Sequence, residues 1–396
     1  MDFRLTEEQQ QFRDLTRELA RREFLPKAAE WDQTPGIYPE EALQKLAELG
    51  YFGMSIPEEY GGVGYDAVSY AVCIEELAYA SAALAIMVAV HNTVGAAPIV
   101  RYGTEEQKRE LLPRLASGEL GAFSISEPDA GSDVGAITST ARRDGDSYVL
   151  NGSKNWVTNG DHARILNIFA KTDPKAGNRG ITAFAVEIDT AGLVVGKHED
   201  KMGLRSSDTV SVSLQDVRVP ASRRLGDEGQ GMKIAMVALD AGRIGVACQA
   251  VGVAQAALDE AVRYARERRT FGKLLTEHGP VQHMLADMER RVIASRLLAW
   301  RAAWLRDQGR PFTMEAAMAK LHATEAATFV THRAIQIHGG YGYVKEYPVE
   351  RYYRDARVFE IYEGASEIQR IVIAREAVRR AAAQDEAVRA EPLRSS

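Results

Sequence analysis

The chain has 396 residues, 45% hydrophobic and 26% charged. That is the balance of an ordinary soluble globular protein, and it excludes bulk disorder or a fibrous repeat; at roughly 100–200 residues per domain, two or three packing units are expected. Lys and Arg number 49 against 55 Asp and Glu, a net charge of −6, which argues against a nucleic-acid binder, whose affinity rests on a concentrated basic surface.

From Leu5 to about Ser117 the pattern is helical. Thr6 with Gln9, and Thr104 with Gln107, fit the S/T-x-x-E/Q capping box that opens helices. Ala42, Leu43, Leu46, Ala47 and Leu49 recur at helical spacing after Pro39, and Pro35–Gly36 and 57–64 act as separators. Between Gly121 and Pro220 the texture changes to short β-type runs. Asn151–Gly152 and Asn159–Gly160 read as hairpin dipeptides flanking Lys154–Thr158. Ile165–Lys171, Ile181–Ile188 and Val210–Leu214 read as strands, the last alternating Val210, Val212 and Leu214 with Ser211 and Ser213. After Gly231 helical periodicity returns. Ile234, Val237, Ala238, Ile244, Val251, Ala254, Leu258, Ala261 and Ala265 form one long stripe, and Gly242, Gly245 and Gly252 along it let neighbours approach closely. Further helices are predicted from about Val281 to Asp307, from Thr313, and from Ser366 to Arg379 or Arg380, with a frayed tail after Ala383. Helical, then β, then helical segments are the order of an α+β multidomain chain and not of a doubly wound sheet. The expected units are 1–118, 119–231 and 232–396.

Cys73 and Cys248 are too few for a disulfide framework or a Cys-based zinc site and read as buried apolar side chains. Asp2, Glu7 and Glu8 with no apolar run show no secretory signal, and Ala82–Val90 falls short of the roughly 18 residues that span a bilayer. A cytoplasmic protein with no membrane span is expected. No G-x-x-x-x-G-K-[ST], H-E-x-x-H, C-x-x-C or G-x-S-x-G occurs. Gly62–Val63–Gly64 and Gly229–Gln230–Gly231 lack the βαβ setting of a dinucleotide fingerprint and read as turns. His91 and His338 show no metal-ligand spacing.

Two segments carry chemistry. Ser124–Asp133 (SISEPDAGSD) is dense in hydroxyls, N–H groups and small residues, able to wrap a polar or phosphorylated ligand, although a surface turn reads the same way. In Asp355–Arg370 (DARVFEIYEGASEIQR), Ser366 and Gln369 fit another capping box, which puts Glu363 in the turn before a helix. The helix field there favours its charge, whereas burial by Tyr362 and its apolar neighbours raises its proton affinity towards that of a general base, so a helix-capping acid and a catalytic base both fit the residues.

Together with Pro57–Gly62 (PEEYGG) and Trp156–Thr158 (WVT), in this order over essentially the whole chain, these segments resemble the acyl-CoA dehydrogenases. Leu239–Gly245 (LDAGRIG) and Arg351–Arg357 (RYYRDAR) look most like the short-chain, butyryl-CoA branch. The resemblance implies an N-terminal helical domain, a middle β-barrel-like domain and a C-terminal four-helix bundle. It implies FAD-dependent α,β-desaturation of a short- or branched-chain acyl-CoA, with electrons passed to an electron-transfer flavoprotein, in a homotetramer. Glu363 would be the base. Phe123, Ile125, Ser126, Gly131, Ser132, Trp156, Val157, Thr158, Ala365 and Glu367 would surround FAD, and Arg268, Phe271, Gln336, Gly339 and Gly340 would reach the FAD of a neighbouring subunit. Ser132, Asp240, Arg243, Tyr362 and Gly364 would line the acyl-CoA. A second subgroup carries its base where Gly242 stands here, and glycine takes no proton. Departures are Ala365 for the usual Thr, His338 where many relatives carry Leu, and Gly279 where some use Gln. Alternatives on the same scaffold are a dehydrogenase of carrier-protein-bound acyl groups and a flavin oxidase; a non-catalytic scaffold is the alternative of another class.

Overall fold

The computed structural model describes residues 4–34 and 37–390; Asp2 and the Pro35–Gly36 separator lie outside them. The N-terminal unit is helical: α1 (Glu7–Leu19), α2 (Ala28–Gln33), α3 (Glu40–Glu48), α4 (Ala67–Ala80), α5 (Ala82–Val90), α6 (Ala97–Tyr102) and α7 (Glu105–Ala116). Both predicted capping boxes form. Gln9 N–H donates to Thr6 Oγ1 at 3.2 Å and Gln107 N–H to Thr104 Oγ1 at 3.2 Å, while each glutamine side chain accepts from its cap's backbone. The apolar run is longer than Ala82–Val90, because a π-helical segment, His91–Ala96, fuses α5 to α6. The resulting Ala82–Tyr102, like Gly231–Glu267, is long and apolar enough to cross a membrane, but most of it is buried inside the protein.

Eight strands follow: β1 (Leu120–Ser124), β2 (Thr140–Asp144), β3 (Ser147–Thr158), β4 (Ala163–Lys171), β5 (Ile181–Glu187), β6 (Leu193–His198), β7 (Thr209–Pro220) and β8 (Arg224–Leu225). They form one sheet in the order β6-β7-β3-β2-β4-β5-β8, with β1 parallel to β4. The alternation read in β7 holds, with Val210, Val212 and Leu214 buried and Ser211 and Ser213 half-exposed. The hairpin reading of Asn151–Gly152 does not hold. The pair lies inside β3 at a register shift, where Gly152 takes φ 144° and a Cβ would stand 2.2 Å from Ser139 Oγ, so glycine is required there. Asn159–Gly160 does end β3, but the strand it leads to is not β3's partner.

The C-terminal unit packs four long helices, α8 (Gly231–Glu267), α9 (Gly279–Asp307), α10 (Thr313–His338) and α12 (Ser366–Ala390), with the short α11 (Val349–Ala356) between the last two. A small hairpin, β9 (Arg269–Thr270) and β10 (Lys273–Leu274), joins α8 to α9. The glycines of α8 work as expected: a Cβ on Gly252 would stand 2.2 Å from the Glu75 carbonyl, so only glycine lets α4 cross α8 this closely. The last helix departs twice from expectation. It runs on through Ala390 and does not stop near Arg379 or Arg380, and its capping box is not made. Ser366 lies within the helix with its Oγ buried and unpartnered, while the Gln369 side chain donates to the Gly364 carbonyl at 2.8 Å.

Side chains tie the three units together. Arg354 on α11 grips Asp32 of α2 through both terminal nitrogens (2.9 and 2.6 Å), and Asp355 accepts from Leu204 N–H, in the loop before β7, at 2.7 Å.

Candidate functional site

Glu363 stands where α8 and α10 of the C-terminal unit meet α4 of the N-terminal one. It takes φ 49° and Gly364 φ 92°, two successive left-handed residues that turn the chain back before α12 begins. Such a conformation at a non-glycine residue costs of order 1–3 kcal/mol and persists only where its surroundings enforce it. The carboxylate consequently points at α8, where a Cβ on Gly242 would stand 1.9 Å from Glu363 Oε2. That oxygen is sealed from solvent and has no hydrogen-bond partner. Burial raises the Glu363 carboxyl to about pH 7, against the opposing pull of Lys320 and then Arg243.

The groups around it come from three helices. Arg243, 5% exposed, pairs with Asp240 one turn back on α8, and Asp240 also accepts from Thr313 Oγ1 at 2.6 Å. Lys320, on α10, is fully buried and donates to the Gly364 carbonyl at 2.8 Å. Tyr70, on α4, brings its unpartnered hydroxyl against Gly245, where a Cβ would stand 2.4 Å away. Gly242 and Gly245 are one turn apart, so two unpartnered buried oxygens sit side by side on one face of α8. Tyr362 is anchored by its hydroxyl to Gln249 Oε1 at 2.5 Å. The structure thus gathers Glu363, Gly364, Tyr362, Asp240 and Arg243 in one place. Lys320 and Tyr70 were not among the sequence candidates. A lysine at the centre of the run Ala316, Ala317, Ala319, Ala323 was the available signal for the first; none existed for the second.

A second cluster surrounds the 124–133 loop. Asn155 N–H donates to the Ser126 carbonyl at 2.9 Å, so the loop is pinned to β3. Beneath it lies a buried ion pair that the sequence reading missed: Lys154 Nζ to Glu127 Oε1 at 2.7 Å. Glu127 also accepts from Thr138 N–H (2.6 Å), Thr138 Oγ1 (2.8 Å) and Ser139 N–H (3.0 Å), so its lone pairs are well used. Between Lys154 and Val157 the register slips, and Trp156, at φ 61°, is thrown outward to 63% exposure. The hydroxyls of Ser126, Ser132 and Thr158 bond no other described residue. Ile125 and Val157 have their side chains in the core, which leaves only their backbones for a ligand; Phe123 is half-buried against Phe169.

The third cluster is a cleft of about 600 Å³ lined by Tyr264, Arg268, His338, Gly339, Gly340 and Tyr341, among others, at the far end of α10. Glu363 is not part of it. Gly339 (φ 61°) and Gly340 have open space where a side chain would project, the condition for close backbone approach by a ligand. His338 stacks on Tyr264 at 4.3 Å; its Nδ1 donates to the Ala334 carbonyl at 2.8 Å and its Nε2 is buried without a partner. Gln336 is exposed on the last turn of α10. Phe271, 95% exposed at φ 49°, caps the β9–β10 hairpin together with Gly272 at φ 78°, the left-handed pair of a type I′ turn. Ala365 is partly buried beside Glu363, and Glu367 faces solvent.

Comparison with known proteins decides what this arrangement belongs to. Profiles of the N-terminal, middle and C-terminal domains of acyl-CoA dehydrogenases match residues 6–119, 122–217 and 229–378. The chain belongs to the acyl-CoA dehydrogenase family. It is 48% identical to the mouse mitochondrial short-chain specific acyl-CoA dehydrogenase over 371 residues, 93% of this chain and 90% of that one. It is also 48% identical to the acryloyl-CoA reductase (NADH) of Anaerotignum propionicum over 383 residues, 96% and 97% of the two chains. The structure of butyryl-CoA dehydrogenase from Megasphaera elsdenii superposes with a TM-score of 0.93 at 45% identity, covering 96% of this chain and all of that one. Acyl-CoA dehydrogenases are FAD-dependent. The residues present fit that group: free hydroxyls on a backbone-rich loop, an outward tryptophan held at a strained bulge, and a glycine-walled cleft beside Arg268.

Proposed function

We propose that this acyl-CoA dehydrogenase desaturates a short- or branched-chain acyl-CoA to the trans-2-enoyl-CoA and passes the electrons to an electron-transfer flavoprotein. The observation that carries the proposal is the Glu363 carboxylate: an unpartnered, sealed oxygen on a strained turn, with its proton affinity raised to about pH 7. In this reading Glu363 removes the proton from Cα. A carboxylate at its ordinary value is too weak a base for a carbon acid, and burial strengthens it towards working pH. Arg243 and Lys320 hold the charge without occupying Oε2, which stays free to take the proton. The Glu363 backbone N–H, which has no acceptor among the described residues, is free to hydrogen-bond the thioester oxygen and stabilise developing enolate charge. FAD, when bound, supplies the acceptor for the hydride leaving Cβ. Ser126, Ser132, Trp156 and Thr158 would hold the flavin, and Arg268, Phe271, Gln336, Gly339 and Gly340 the FAD of a neighbouring copy in a homotetramer. The 95% exposure of Phe271 supports that assignment, since a lone chain has no reason to present it.

Anaerobic bleaching of the bound flavin by a panel of straight and branched acyl-CoAs tests cofactor, reaction and substrate together. Glu363→Gln is expected to keep FAD and bind acyl-CoA while losing bleaching by roughly 10²–10⁴-fold; near wild-type bleaching in that variant overturns the assignment. The equal identity to an acryloyl-CoA reductase favours one further reading, in which the same groups run in reverse and Glu363 delivers the proton to Cα. NADH-dependent loss of an enoyl-CoA, measured in the same preparation with its flavoprotein partner, separates the two directions. Reoxidation by oxygen in place of that partner would mark an oxidase, and bleaching only by acyl groups on a carrier protein the remaining alternative.

A further inference from the structure

Taking Glu363 as the base, we infer that Lys320 is a positioning residue of the reaction, its ammonium fastening the Glu363–Gly364 turn and placing a positive charge beside the carboxylate. The geometry leaves the side chain little other use. It is fully buried in an alanine-rich stretch of α10, and its hydrogen bond goes to the Gly364 carbonyl, 2.8 Å away. The same carbonyl accepts from Gln369 Nε2 at 2.8 Å. Two donors on one oxygen clamp the peptide that follows two successive positive φ angles, which is what such a turn needs to persist.

Charge distinguishes Lys320 from Gln369. Glu363 is faced from α8 by Arg243, from α10 by Lys320 and from α4 by the neutral Tyr70 hydroxyl, with Tyr362 beside it in sequence. Arg243 is already neutralised in part by Asp240. Lys320 makes no ion pair among the described residues; Glu360 and Glu367 act on it only from a distance, and Arg243 opposes it. Burial brings the Lys320 ammonium down to about pH 8, with Glu363 the strongest influence in the other direction, and of the two cations Lys320 lowers Glu363 more than Arg243 does. Each charge therefore depends on the other.

Three variants separate clamp from charge: Lys320→Gln keeps a donor for Gly364 without charge, Lys320→Arg keeps charge, and Lys320→Met removes both. The measurement is the first-order rate of anaerobic flavin bleaching by butyryl-CoA from pH 5.5 to 9, with FAD content as control. Loss of a neighbouring opposite charge raises a buried carboxylate by about one unit or more. Lys320→Gln should therefore move the acidic limb to higher pH by that much and lower the rate at pH 7 by about fivefold or more. Lys320→Arg should restore the position of the limb, and Lys320→Met should shift it and lower the plateau as well. A Lys320→Gln profile superimposable on wild type overturns the inference. So does a loss of rate with an unshifted limb in all three, or failure of all three to fold with flavin, since each marks a purely structural lysine. If wild-type flavin is bleached by no acyl-CoA, it is the desaturase reading that fails, and this is visible before any variant is made.

Discussion

Gly242→Ala tests the site through its tightest contact. The added methyl would stand 1.9 Å from Glu363 Oε2 and 2.9 Å from its Cδ, whereas ordinary contact begins at 3.4 Å. The carboxylate must therefore withdraw by about 1.5 Å; a misplacement of about 1 Å at a reacting group costs about 10²-fold in rate. Folding is affected in the opposite sense. The atom displaced is the far end of a side chain, and alanine in a helix interior is favoured over glycine by about 1 kcal/mol. Bleaching of the flavin by butyryl-CoA is expected to slow by about 100-fold or more, with FAD content unchanged and a melting temperature equal to or above wild type. A variant that bleaches at the wild-type rate would show that Glu363 does not act from its seat on Gly242. A variant that melts early would show that the contact matters for folding and not for chemistry.

Further predictions concern pH and the flavin loop. The folded-state value of Glu363, about 7, lies above its ordinary 4.5, so its contribution to stability is full below pH 4.5 and is lost as pH rises through 7. Glu363→Gln should accordingly match wild type in unfolding free energy at pH 4.5 and exceed it at pH 8, by about 1–3 kcal/mol once partial exposure is allowed for; a variant less stable at pH 8 refutes the sign. Glu127 behaves oppositely. Burial alone would raise it, but Lys154 and the donors from Thr138 and Ser139 bring it down to about 2, so its stabilisation is present above pH 4.5 and is lost as pH falls towards 2. Lys154→Met strands that carboxylate and should cost about 3–5 kcal/mol in denaturant unfolding, with loss of flavin from the loosened loop. Trp156→Ala removes an exposed side chain from a strained bulge, so unfolding should change by less than about 0.5 kcal/mol; the apoprotein's affinity for FAD, followed by fluorescence quenching, should fall.

The parts of this fold that were legible in the sequence are those where a local rule decides. The capping boxes at Thr6 and Thr104, the period-two alternation of β7 and the long apolar stripe of α8 are each set by neighbours within a turn or two, and each appears as read. The errors share a cause. Asn–Gly at 151–152 is a good hairpin dipeptide that a β-bulge uses instead, because Ser139 on the adjacent chain segment crowds the position. Ser366 and Gln369 have the right spacing for a box, but Gln369 is taken by the Gly364 carbonyl, an acceptor created only by the turn at Glu363. In both places the neighbour that decides the outcome, Ser139 in one and the Gly364 carbonyl in the other, lies outside the motif itself.

The same division runs through the site. Glu363 stands out as a candidate because its turn and its aromatic neighbour are sequence-adjacent, whereas its role as base and the place of Arg243 beside it are implied by the family resemblance. Lys320 lies 43 positions before the turn it clamps, and Tyr70 nearly 300 positions before the carboxylate it adjoins, so no window of sequence holds them together. The glycines are what connect the two kinds of residue. Gly245 and Gly252 read only as close-packing positions, and Gly242 also as the place of another subgroup's base; they receive, in turn, the hydroxyl of Tyr70, the backbone of α4 and the carboxylate of Glu363. One glycine-dotted helix face thus seats both the base and the helix opposite it. A side chain added at Gly242 is predicted to act on the chemistry, and one at Gly252, where backbone blocks the way 2.2 Å off and cannot retreat, on the fold. Gly252→Ala should therefore lower the melting temperature while any protein that does fold bleaches with the wild-type pH dependence; the reverse pattern in either variant would break the link between glycine position and function.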